Sequence, residues 1–385
     1  MKRLAIITTH PIQYYAPAFK LLHERQQIEI MVFYTWGEAS KVKYDPGFGT
    51  VVGWDIPTLE GYPYTWAVNT ASNPGTHHFK GIITPGLIDQ VKQWKPDALL
   101  VIGWAYQSHL KILRHFKGNL PIFFRGDSTL LDEPVGLKEI IRSIFLKWIY
   151  HYVDHAFYPG RNTKAYFEKF GLDEEQLSFA PHAVDNERFA EDKSEEAKAL
   201  RQELSVRDGE ILVLFAGKFE NKKSPVELLD AFLKMNKKGV HLLIVGNGEL
   251  EEKLKNMAMD SKTVHFMKFQ NQTMMPVIYQ ACDLFCLPSK GPGETWGLAV
   301  NEAMACGRAV LVSNKVGSAI DLVKKGHNGD IFENGNKHDL ANKLNKLTGS
   351  LNVLKEMGEN SAALIQSWSF LRIAEAIENK INETI

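Results

Sequence analysis

Residues 292–307 read Pro-Gly-Glu-Thr-Trp-Gly-Leu-Ala-Val-Asn-Glu-Ala-Met-Ala-Cys-Gly. A glycine-rich turn leads into an amphipathic stretch, which predicts a helix beginning near Gly297. The first N–H groups of a helix have no carbonyl partner inside it, and the helix dipole favours negative charge there. The segment therefore predicts an anion site, typically for phosphate. One carboxylate (Glu294) precedes the turn and a second (Glu302) lies in the helix.

Short apolar runs alternate with helical patterns on both sides of this segment. Continuous apolar strands separated by helices are typical of parallel sheets covered on both faces, and two such series predict two Rossmann-like α/β domains. The predicted strands are 4–9, 29–34, 98–103, 122–125, 156–158 and 177–180 in the first half, and 211–217, 241–246, 264–266, 284–288, 309–313 and 330–332 in the second.

The predicted domain boundaries follow from these two series. The first domain spans residues 1–190 and the second spans residues 208–366. The charged stretch 186–208, with one helical pattern at 194–204, is interpreted as the connector. Ser369 is a candidate helix cap before regularly spaced apolar residues, so a last helix is predicted within residues 367–385.

Composition narrows the class of protein. The chain has 385 residues, with 45 Lys plus Arg and 45 Asp plus Glu. This length favours two domains, and the balanced charge does not indicate nucleic-acid binding. The three cysteines (Cys282, Cys286 and Cys306) lack a nearby His pair that would complete a zinc set, so we expect small buried thiols in a reducing compartment.

The N-terminus predicts a first strand rather than a targeting segment. It has a basic start but lacks the apolar region and cleavage site of a signal peptide. The sequence also contains no run of about 18 apolar residues, so no membrane span is expected. We therefore predict a cytoplasmic protein.

Segment 292–307 resembles the Glu-x7-Glu element of the family 4 glycosyltransferases, which are retaining enzymes of GT-B fold. In that family the first Glu contacts hydroxyls of the transferred sugar and the second binds the ribose of the nucleotide. The resemblance implies these roles for Glu294 and Glu302, with residues 295–299 (Thr295, Trp296, Gly297, Leu298 and Ala299) also at the donor. It further implies two domains facing across a cleft, with the last helix crossing back to the first domain. The alternative is a surface loop with two unrelated acidic residues.

A second donor element follows the first strand of the second half. Gly217 allows close backbone approach to a ligand, and Lys218 and Lys223 are spaced to converge on one anion. The family pattern is Gly-Arg followed by Lys-Gly, and those cations bind the diphosphate. This chain has Lys218 in place of the Arg and Ser224 in place of the Gly, and Lys lacks the bidentate fork of Arg. A solvated basic loop is the alternative.

Two further loops resemble parts of the family's donor domain. The Gly-x-Gly turn at 246–248 is a weak signal alone, and its role in the family is mostly structural. Residues 264–269, ending at Phe269, resemble the strand and loop against which the nucleotide base packs.

Polar residues follow two predicted strands of the first half. His10, Gln13 and Tyr14 leave the first strand, and strand ends of open parallel sheets face the ligand crevice. They are predicted to bind the sugar or the acceptor, although the family often has a Gly-rich loop at this point. A structural histidine that bonds the loop backbone is the alternative for His10.

Arg125 and Asp127 end another strand, where family members often place a His. Both are predicted to contact the acceptor, and Asp127 is a candidate to orient the acceptor hydroxyl or to act as its base. An N-cap for the next segment is the alternative for Asp127.

Residues 136–152 form a helical pattern that is apolar on one side and carries Lys138, Arg142 and Lys147. Peripheral contact with an anionic membrane surface, at its inner face, is one interpretation, and an ordinary core-facing helix is the default.

The resemblance implies a retaining glycosyltransferase that uses a nucleotide-diphosphate sugar, UDP-linked by preference. Its acceptor would be a hydroxyl of a growing cell-surface glycan or of a lipid-linked sugar. No Asp-x-Asp metal motif occupies a strand–loop position, so we predict a metal-independent enzyme without a cofactor. A GT-B sugar-nucleotide 2-epimerase and a non-catalytic sugar-nucleotide binding protein remain as alternatives.

Overall fold

The computed structural model describes residues 1–37, 43–45, 47, 50–133 and 136–385, with the backbone alone described at 43–45 and 50–52. The chain divides into two compact units. Unit 1 comprises Met1–Lys43, Ile56–His182 and Phe370–Ile385. Unit 2 comprises Tyr44–Asp55 and Ala183–Ser369.

Strands and helices alternate through most of the described residues. In chain order the strands are β1 (Arg3–Thr8), β2 (Glu29–Tyr34), β3 (Lys43–Asp45), β4 (Thr50–Val52), β5 (Tyr64–Trp66), β6 (Ala98–Ile102), β7 (Ile122–Arg125), β8 (His155–Tyr158), β9 (Leu177–Phe179), β10 (Ile211–Ala216), β11 (Val240–Val245), β12 (Val264–Met267), β13 (Leu284–Leu287), β14 (Ala309–Ser313) and β15 (Gly329–Phe332). The helices are α1 (Ala16–Glu24), α2 (Leu87–Trp94), α3 (Gln107–Phe116), α4 (Leu137–Tyr150), α5 (Arg161–Lys169), α6 (Asn186–Ala190), α7 (Ser194–Glu203), α8 (Pro225–Met235), α9 (Glu251–Met257), α10 (Met275–Ala281), α11 (Leu298–Ala305), α12 (Ala319–Leu322), α13 (Lys337–Leu347), α14 (Leu351–Ile365) and α15 (Phe370–Thr384). Short 3₁₀ turns occur at Phe79–Gly81, Glu174–Gln176 and Asn221–Lys223.

The sheet of unit 1 has the order β5-β2-β1-β6-β7-β8-β9, and its paired strands run parallel. Strand β1 is flanked by β2 and β6, so the strand order reverses at this point. Its residues 4–7 are fully buried because helices cover both faces of the sheet. Ligand crevices of open α/β sheets lie outside the carboxyl ends of the strands at such a reversal.

The sheet of unit 2 follows the same plan, with the parallel order β12-β11-β10-β13-β14-β15. The reversal is at β10, which lies between β11 and β13. Residues from all four central strands, with α8, α13 and α14, form one buried apolar core. The loops after β10 and β13 therefore leave this sheet at the expected ligand crevice.

The predicted α/β fold with two parallel sheets is confirmed. Each of the twelve predicted strands coincides with an observed strand to within one residue at either end. The strands that the sequence did not predict are β3, β4 and β5, which have three residues each. Runs this short carry no readable hydrophobic period.

Two segments differ from the predicted organisation. The stretch interpreted as a connector forms α6 and α7 and belongs to unit 2, where Arg201 donates to the Asp283 carboxylate at 3.0 Å and to the Ala281 carbonyl at 2.8 Å. Residues 44–55, predicted within the first domain, also group with unit 2. There the Asn271 amide donates to the Gly53 carbonyl at 2.7 Å.

The last helix, α15, belongs to unit 1 and packs against α1. Arg25, just after α1, donates to both carboxylate oxygens of Glu378 at 2.9 Å, and Glu378 is buried. A buried carboxylate is costly without such a partner, so this pair helps to fix α15 on unit 1. Within the described parts of the chain, no helix combines the length and apolar character needed to cross a bilayer.

Candidate active site

The predicted donor residues gather at the carboxyl edge of the unit 2 sheet. Gly217 and Lys218 follow β10, Phe269 follows β12, and Glu294 follows β13. The carboxyl ends of neighbouring parallel strands meet at one edge, so the topology places these loops side by side. The edge combines cations, a carboxylate and a helix start.

Lys223 and Glu294 form the centre of this edge. The Lys223 ammonium lies 2.5 Å from Oε2 of Glu294, and the Ser289 hydroxyl donates to the same oxygen at 2.7 Å. Only 7% of Glu294 is exposed. A carboxylate is costly to bury without charged or hydroxyl partners, and Glu294 has both.

Lys222, the neighbouring lysine, has a different environment. Its side chain is 42% exposed and lies 3.5 Å from Glu220, whereas that of Lys223 is 21% exposed. The 3₁₀ turn Asn221–Lys223 directs the two ammonium groups to different partners. The geometry therefore supports Lys223, which the spacing favoured, as the lysine of the site.

Two glycines, Gly246 and Gly248, permit the loops after β10 and β11 to approach each other. A Cβ atom on Gly246 would lie 1.9 Å from the Gly217 carbonyl oxygen, and one on Gly248 would lie 2.7 Å from the Phe219 carbonyl oxygen. Asn247, between them, accepts a hydrogen bond from the Phe269 amide at 2.6 Å. This turn thus joins the loops of three strands, in agreement with the structural role expected for it.

Helix α11 begins as predicted, with Gly297 as its N-cap at φ +89°. The Val300 amide already bonds the Gly297 carbonyl, so the amides of Leu298 and Ala299 are those that an α-helix leaves without an internal partner. Gly317 supports the approach to the helix, since its amide donates to the Glu294 carbonyl at 3.0 Å. The backbone before α11 is thereby held by the loop that follows β14.

Glu302 lies on the second turn of α11 and is 4% exposed. The hydroxyl of the buried Tyr279 donates to its Oε2 at 2.8 Å. This bond fixes the carboxylate orientation. The two carboxylates of the Glu-x7-Glu segment therefore each have a hydroxyl donor, Ser289 for Glu294 and Tyr279 for Glu302.

Trp296 has a buried side chain. Its indole N–H donates to the Asn301 side chain at 2.8 Å, and its ring centroid lies 5.3 Å from that of Trp368. The indole therefore stabilises the segment itself, and only the backbone of Trp296 is left to contact a ligand.

Lys218, which follows β10, packs close to the backbone of Gly47.

The predicted acceptor residues of unit 1 lie at the carboxyl edge of its own sheet. His10, Gln13 and Tyr14 follow β1 at the strand reversal. Nδ1 of His10 lies 2.9 Å from the Thr9 hydroxyl, and its ring packs edge-on against Trp36 with centroids 5.1 Å apart. These contacts hold the imidazole in place just after β1.

Arg125 has contacts that the strand-end argument did not foresee. Its two terminal nitrogens donate to the carbonyls of Ala180 and Pro181 at 2.8 Å, and the residue is 2% exposed. Its guanidinium also lies over the Tyr15 ring. These contacts are those of a structural residue, so the prediction that Arg125 binds the acceptor directly gains no support from its geometry.

Asp127 lies two residues after Arg125, with its carboxylate 3.9 Å from Nε2 of His182. Burial and the nearby Arg125 charge hold the pKa of His182 well below its usual value, so this imidazole is neutral at pH 7. The N-cap alternative for Asp127 is wrong, because the next helix is α4, whose N-cap is Gly136. Asp127 remains a candidate to contact an acceptor.

Sequence reasoning missed Ser289, Tyr279 and Trp36. Ser289 and Trp36 each stand two residues beyond a strand, so the strand-end rule used for His10 would have found both. Tyr279 lies on the buried side of α10, and no nearby sequence feature indicates a functional role for it. The predicted thiols are confirmed as free and buried, and burial raises the pKa of Cys282 to about 12. No cluster of three metal-binding side chains occurs in the described ranges.

The chain is similar to a family model, to curated proteins and to solved structures. Residues 196–363 match the family model described as glycosyl transferases group 1. A D-inositol 3-phosphate glycosyltransferase of Nocardia farcinica is 28% identical over 222 residues, which are 54% of this chain and 48% of that protein. The matches span about half the length of the curated relatives.

Solved structures match over the whole chain. Anabaena HepE in complex with UDP has a TM-score of 0.74 at 18% identity, with 100% of both chains covered. Sucrose-phosphate synthase from Thermosynechococcus elongatus has a TM-score of 0.73 at 18% identity, covering 100% of this chain and 99% of that one. At this identity the likeness establishes the fold, which is that of GT-B glycosyltransferases.

Proposed function

We propose that this chain is a retaining, metal-independent glycosyltransferase of family 4 type, which moves a sugar from a UDP-sugar to a hydroxyl acceptor. The observation that carries the proposal is the contact between Lys223 and Glu294 at the carboxyl edge of unit 2. It combines a cation for a diphosphate with a carboxylate for sugar hydroxyls. The group 1 family match over the same unit and the UDP bound by HepE support this choice of donor.

The donor's charged centre would bind at Lys218, Lys223 and the first amides of α11. A diphosphate accepts hydrogen bonds from ammonium and amide donors alike, and a helix start favours its charge. The ribose would lie at Glu302, which Tyr279 holds in place, and the base would pack near Phe269.

The transferred sugar would lie at Glu294, beside the diphosphate. The Glu294 carboxylate accepts from Lys223 and Ser289 through Oε2. A carboxylate oxygen has more than one acceptor direction, so sugar hydroxyls can donate to Glu294 while these bonds persist. The lysine and the carboxylate would thus align the scissile sugar–phosphate bond between them.

In the reaction, the bond between the anomeric carbon and the diphosphate oxygen breaks as the acceptor oxygen bonds the same carbon from the same face. Lys218, Lys223 and the α11 amides stabilise negative charge on the departing diphosphate, where it increases in the transition state. The diphosphate oxygen takes the acceptor's proton. The lysines and amides supply the positive charge, so a metal ion is not required.

The acceptor would bind at the carboxyl edge of unit 1, near His10, Gln13, Tyr14 and Asp127. His10 and Asp127 are candidates to orient its hydroxyl, and Arg125 would position the nearby backbone. A growing cell-surface glycan or a lipid-linked sugar is the proposed acceptor. Three free, buried cysteines are consistent with a proposed cytoplasmic location.

The test begins with a thermal-shift panel of UDP-, GDP- and ADP-sugars. A ligand at about 100 times its dissociation constant stabilises the folded state by about 2.7 kcal/mol, which is readily detected. The stabilising sugar nucleotide is then assayed separately for transfer, epimerisation and hydrolysis. Transfer with retention at the anomeric carbon supports the proposal. Epimerisation, or binding without turnover across a broad acceptor panel, would replace it with one of the two alternatives.

A further inference from the structure

Both hydrogen bonds of the Glu294 side chain use the same oxygen. The Lys223 ammonium and the Ser289 hydroxyl donate to Oε2, at 2.5 and 2.7 Å. A carboxylate oxygen has two lone pairs, so these two donors fill the acceptor capacity of Oε2. Among the residues that the structure describes, none donates to Oε1. The carboxylate therefore has one oxygen engaged by the protein and one oxygen left to accept from a ligand.

Oε1 of Glu294 faces the start of α11. A Cβ atom on Gly297 would lie 3.7 Å from Oε1, and Gly297 is the N-cap of this helix. Because residue 297 is a glycine, it has no side chain to cover that oxygen. Oε1 thus lies next to the residue whose following amides are proposed to bind the diphosphate, which is where the transferred sugar would begin.

Ser289 is held firmly behind this carboxylate. It is fully buried two residues after β13, and the hydroxyl of Ser313, at the end of the neighbouring β14, donates to its carbonyl. The next amide along the chain, that of Lys290, donates to the Lys222 carbonyl at 2.8 Å. This bond joins the loop of Ser289 to the turn that carries Lys223. The two donors to Oε2 therefore belong to one connected arrangement of loops.

The two donors differ in what a bound sugar nucleotide would do to them. Lys223 is also proposed to bind the diphosphate, so the donor substrate would share its ammonium group. The Ser289 hydroxyl is fully buried, and a buried hydroxyl is costly without an acceptor. Its bond to a carboxylate is also stronger than a bond to a neutral group. Ser289 can therefore keep Oε2 in place while Lys223 turns to the diphosphate.

We infer that Ser289 is a positioning residue for the donor sugar, because it fixes Oε2 of Glu294 and so directs Oε1 to the hydroxyl groups of that sugar. Oε1 keeps two lone pairs, and adjacent hydroxyls of a pyranose can both donate to one oxygen. The site therefore selects a sugar with free hydroxyls on the carbons that face Glu294, since a deoxy sugar would leave Oε1 without a donor. The inference rests on the proposed function and extends it to the residue behind the carboxylate.

The test is a double-mutant cycle of Ser289→Ala and Glu294→Gln in the full chain. Calorimetry gives the dissociation constants of UDP and of the tightest-binding of UDP-glucose, UDP-galactose and UDP-N-acetylglucosamine, and the readout is the ratio of the UDP-sugar constant to the UDP constant. Ser289→Ala should raise this ratio about three- to tenfold without changing UDP affinity. In the Glu294→Gln background the same change should have an effect below about twofold, because Ser289 acts through Glu294.

Deoxy analogues of the chosen donor, each lacking one hydroxyl, test the selectivity. At least one analogue should bind the wild type more weakly than the parent sugar nucleotide does, and this loss should be smaller in Ser289→Ala. Ser289→Cys, which keeps the side-chain shape but donates weakly, should give an intermediate ratio. If every analogue binds the wild type as well as the parent, Oε1 does not read a sugar hydroxyl and the inference is wrong.

The matched control is Ser318→Ala. Ser318 is a fully buried serine of unit 2 that follows β14, and its hydroxyl has no hydrogen-bond partner among the described residues. This variant should keep both wild-type dissociation constants. The inference is overturned if Ser289→Ala leaves the ratio unchanged while Glu294→Gln raises it, or if Ser289→Ala raises the ratio equally in both backgrounds. If Glu294→Gln itself leaves the ratio unchanged, the proposed donor site is wrong and the inference falls with it.

Discussion

The Lys223 ammonium and the Glu294 carboxylate are in direct contact although 71 positions separate them in the chain. One follows β10 and the other follows β13, and these two strands are neighbours at the reversal of the unit 2 sheet. In the proposed reaction they act on adjacent parts of the donor, the diphosphate and the sugar. In that reaction their pairing would align the two groups on either side of the bond that breaks.

Glu294→Gln should separate binding of the sugar from binding of the nucleotide. The amide retains the shape but loses the charge that accepts from sugar hydroxyls, so affinity for the UDP-sugar should fall about tenfold while affinity for UDP changes little. Calorimetry with both ligands measures the difference. An equal loss for UDP and UDP-sugar would contradict a role at the sugar.

Glu302→Ala should weaken UDP binding about ten- to hundredfold, because a charge-assisted bond to ribose contributes about 1.5–3 kcal/mol. Tyr279→Phe is the matched control, since it removes the observed partner of Glu302 and leaves the carboxylate. Its effect on UDP affinity should be smaller. Unchanged affinity in a folded Glu302→Ala variant would count against the ribose role.

Transfer should survive exhaustive chelation, because two lysines and a helix start supply the positive charge that a metal supplies elsewhere. The measurement is the transfer rate before and after EDTA treatment. Activity that EDTA abolishes and magnesium or manganese restores would show that this chain requires a metal ion.

Unit 1 should lose stability as the pH falls from 6.5 towards 4. Burial lowers the pKa of His109 to about 4, while an unfolded His titrates near 6.5. As the pH falls, the unfolded state therefore binds the proton first. The contribution of His109 to the free energy of unfolding is fully present above pH 6.5, and it declines as the pH falls to the folded-state pKa. Between pH 7 and 5 this group should cost about 1–2 kcal/mol.

The control for this pH dependence is His109→Gln, because the glutamine amide can bond the two groups that the imidazole nitrogens contact. These groups are the Thr35 hydroxyl and the Gly103 carbonyl. Urea unfolding at pH 7 and 5 should give a smaller pH effect for the variant than for the wild type. Equal effects would show that His155, whose pKa burial also lowers to about 4, and His182 dominate the titration.

The parallel sheets and the start of α11 were predictable because they are local. Residues 4–7 and 211–216 are continuous apolar runs, and a glycine-rich turn directly precedes the amphipathic stretch that forms α11. The partner of Glu302 was not predictable. Tyr279 reaches Glu302 from another helix, and this contact depends on packing that no sequence period encodes.

Arg125 and α4 show two further features that could not be predicted from the sequence. A polar residue at a strand end was interpreted as a ligand contact, but Arg125 binds the carbonyls of residues 180–181, which are distant in sequence. On α4 the hydrophobic pattern could not reveal that apolar residues occupy both the covered and the exposed sides. Both outcomes depend on which surface another element covers.

The most direct test of the account compares Lys223→Ala with Lys222→Ala, measuring the single-turnover rate and the donor dissociation constant of each. Lys223 should contact more negative charge as the sugar–phosphate bond breaks, so its loss should lower the rate by a larger factor than it weakens donor binding. Lys222→Ala should resemble the wild type. If Lys223→Ala transfers sugar at the wild-type rate, the edge of unit 2 does not stabilise a departing diphosphate, and the proposed mechanism is wrong.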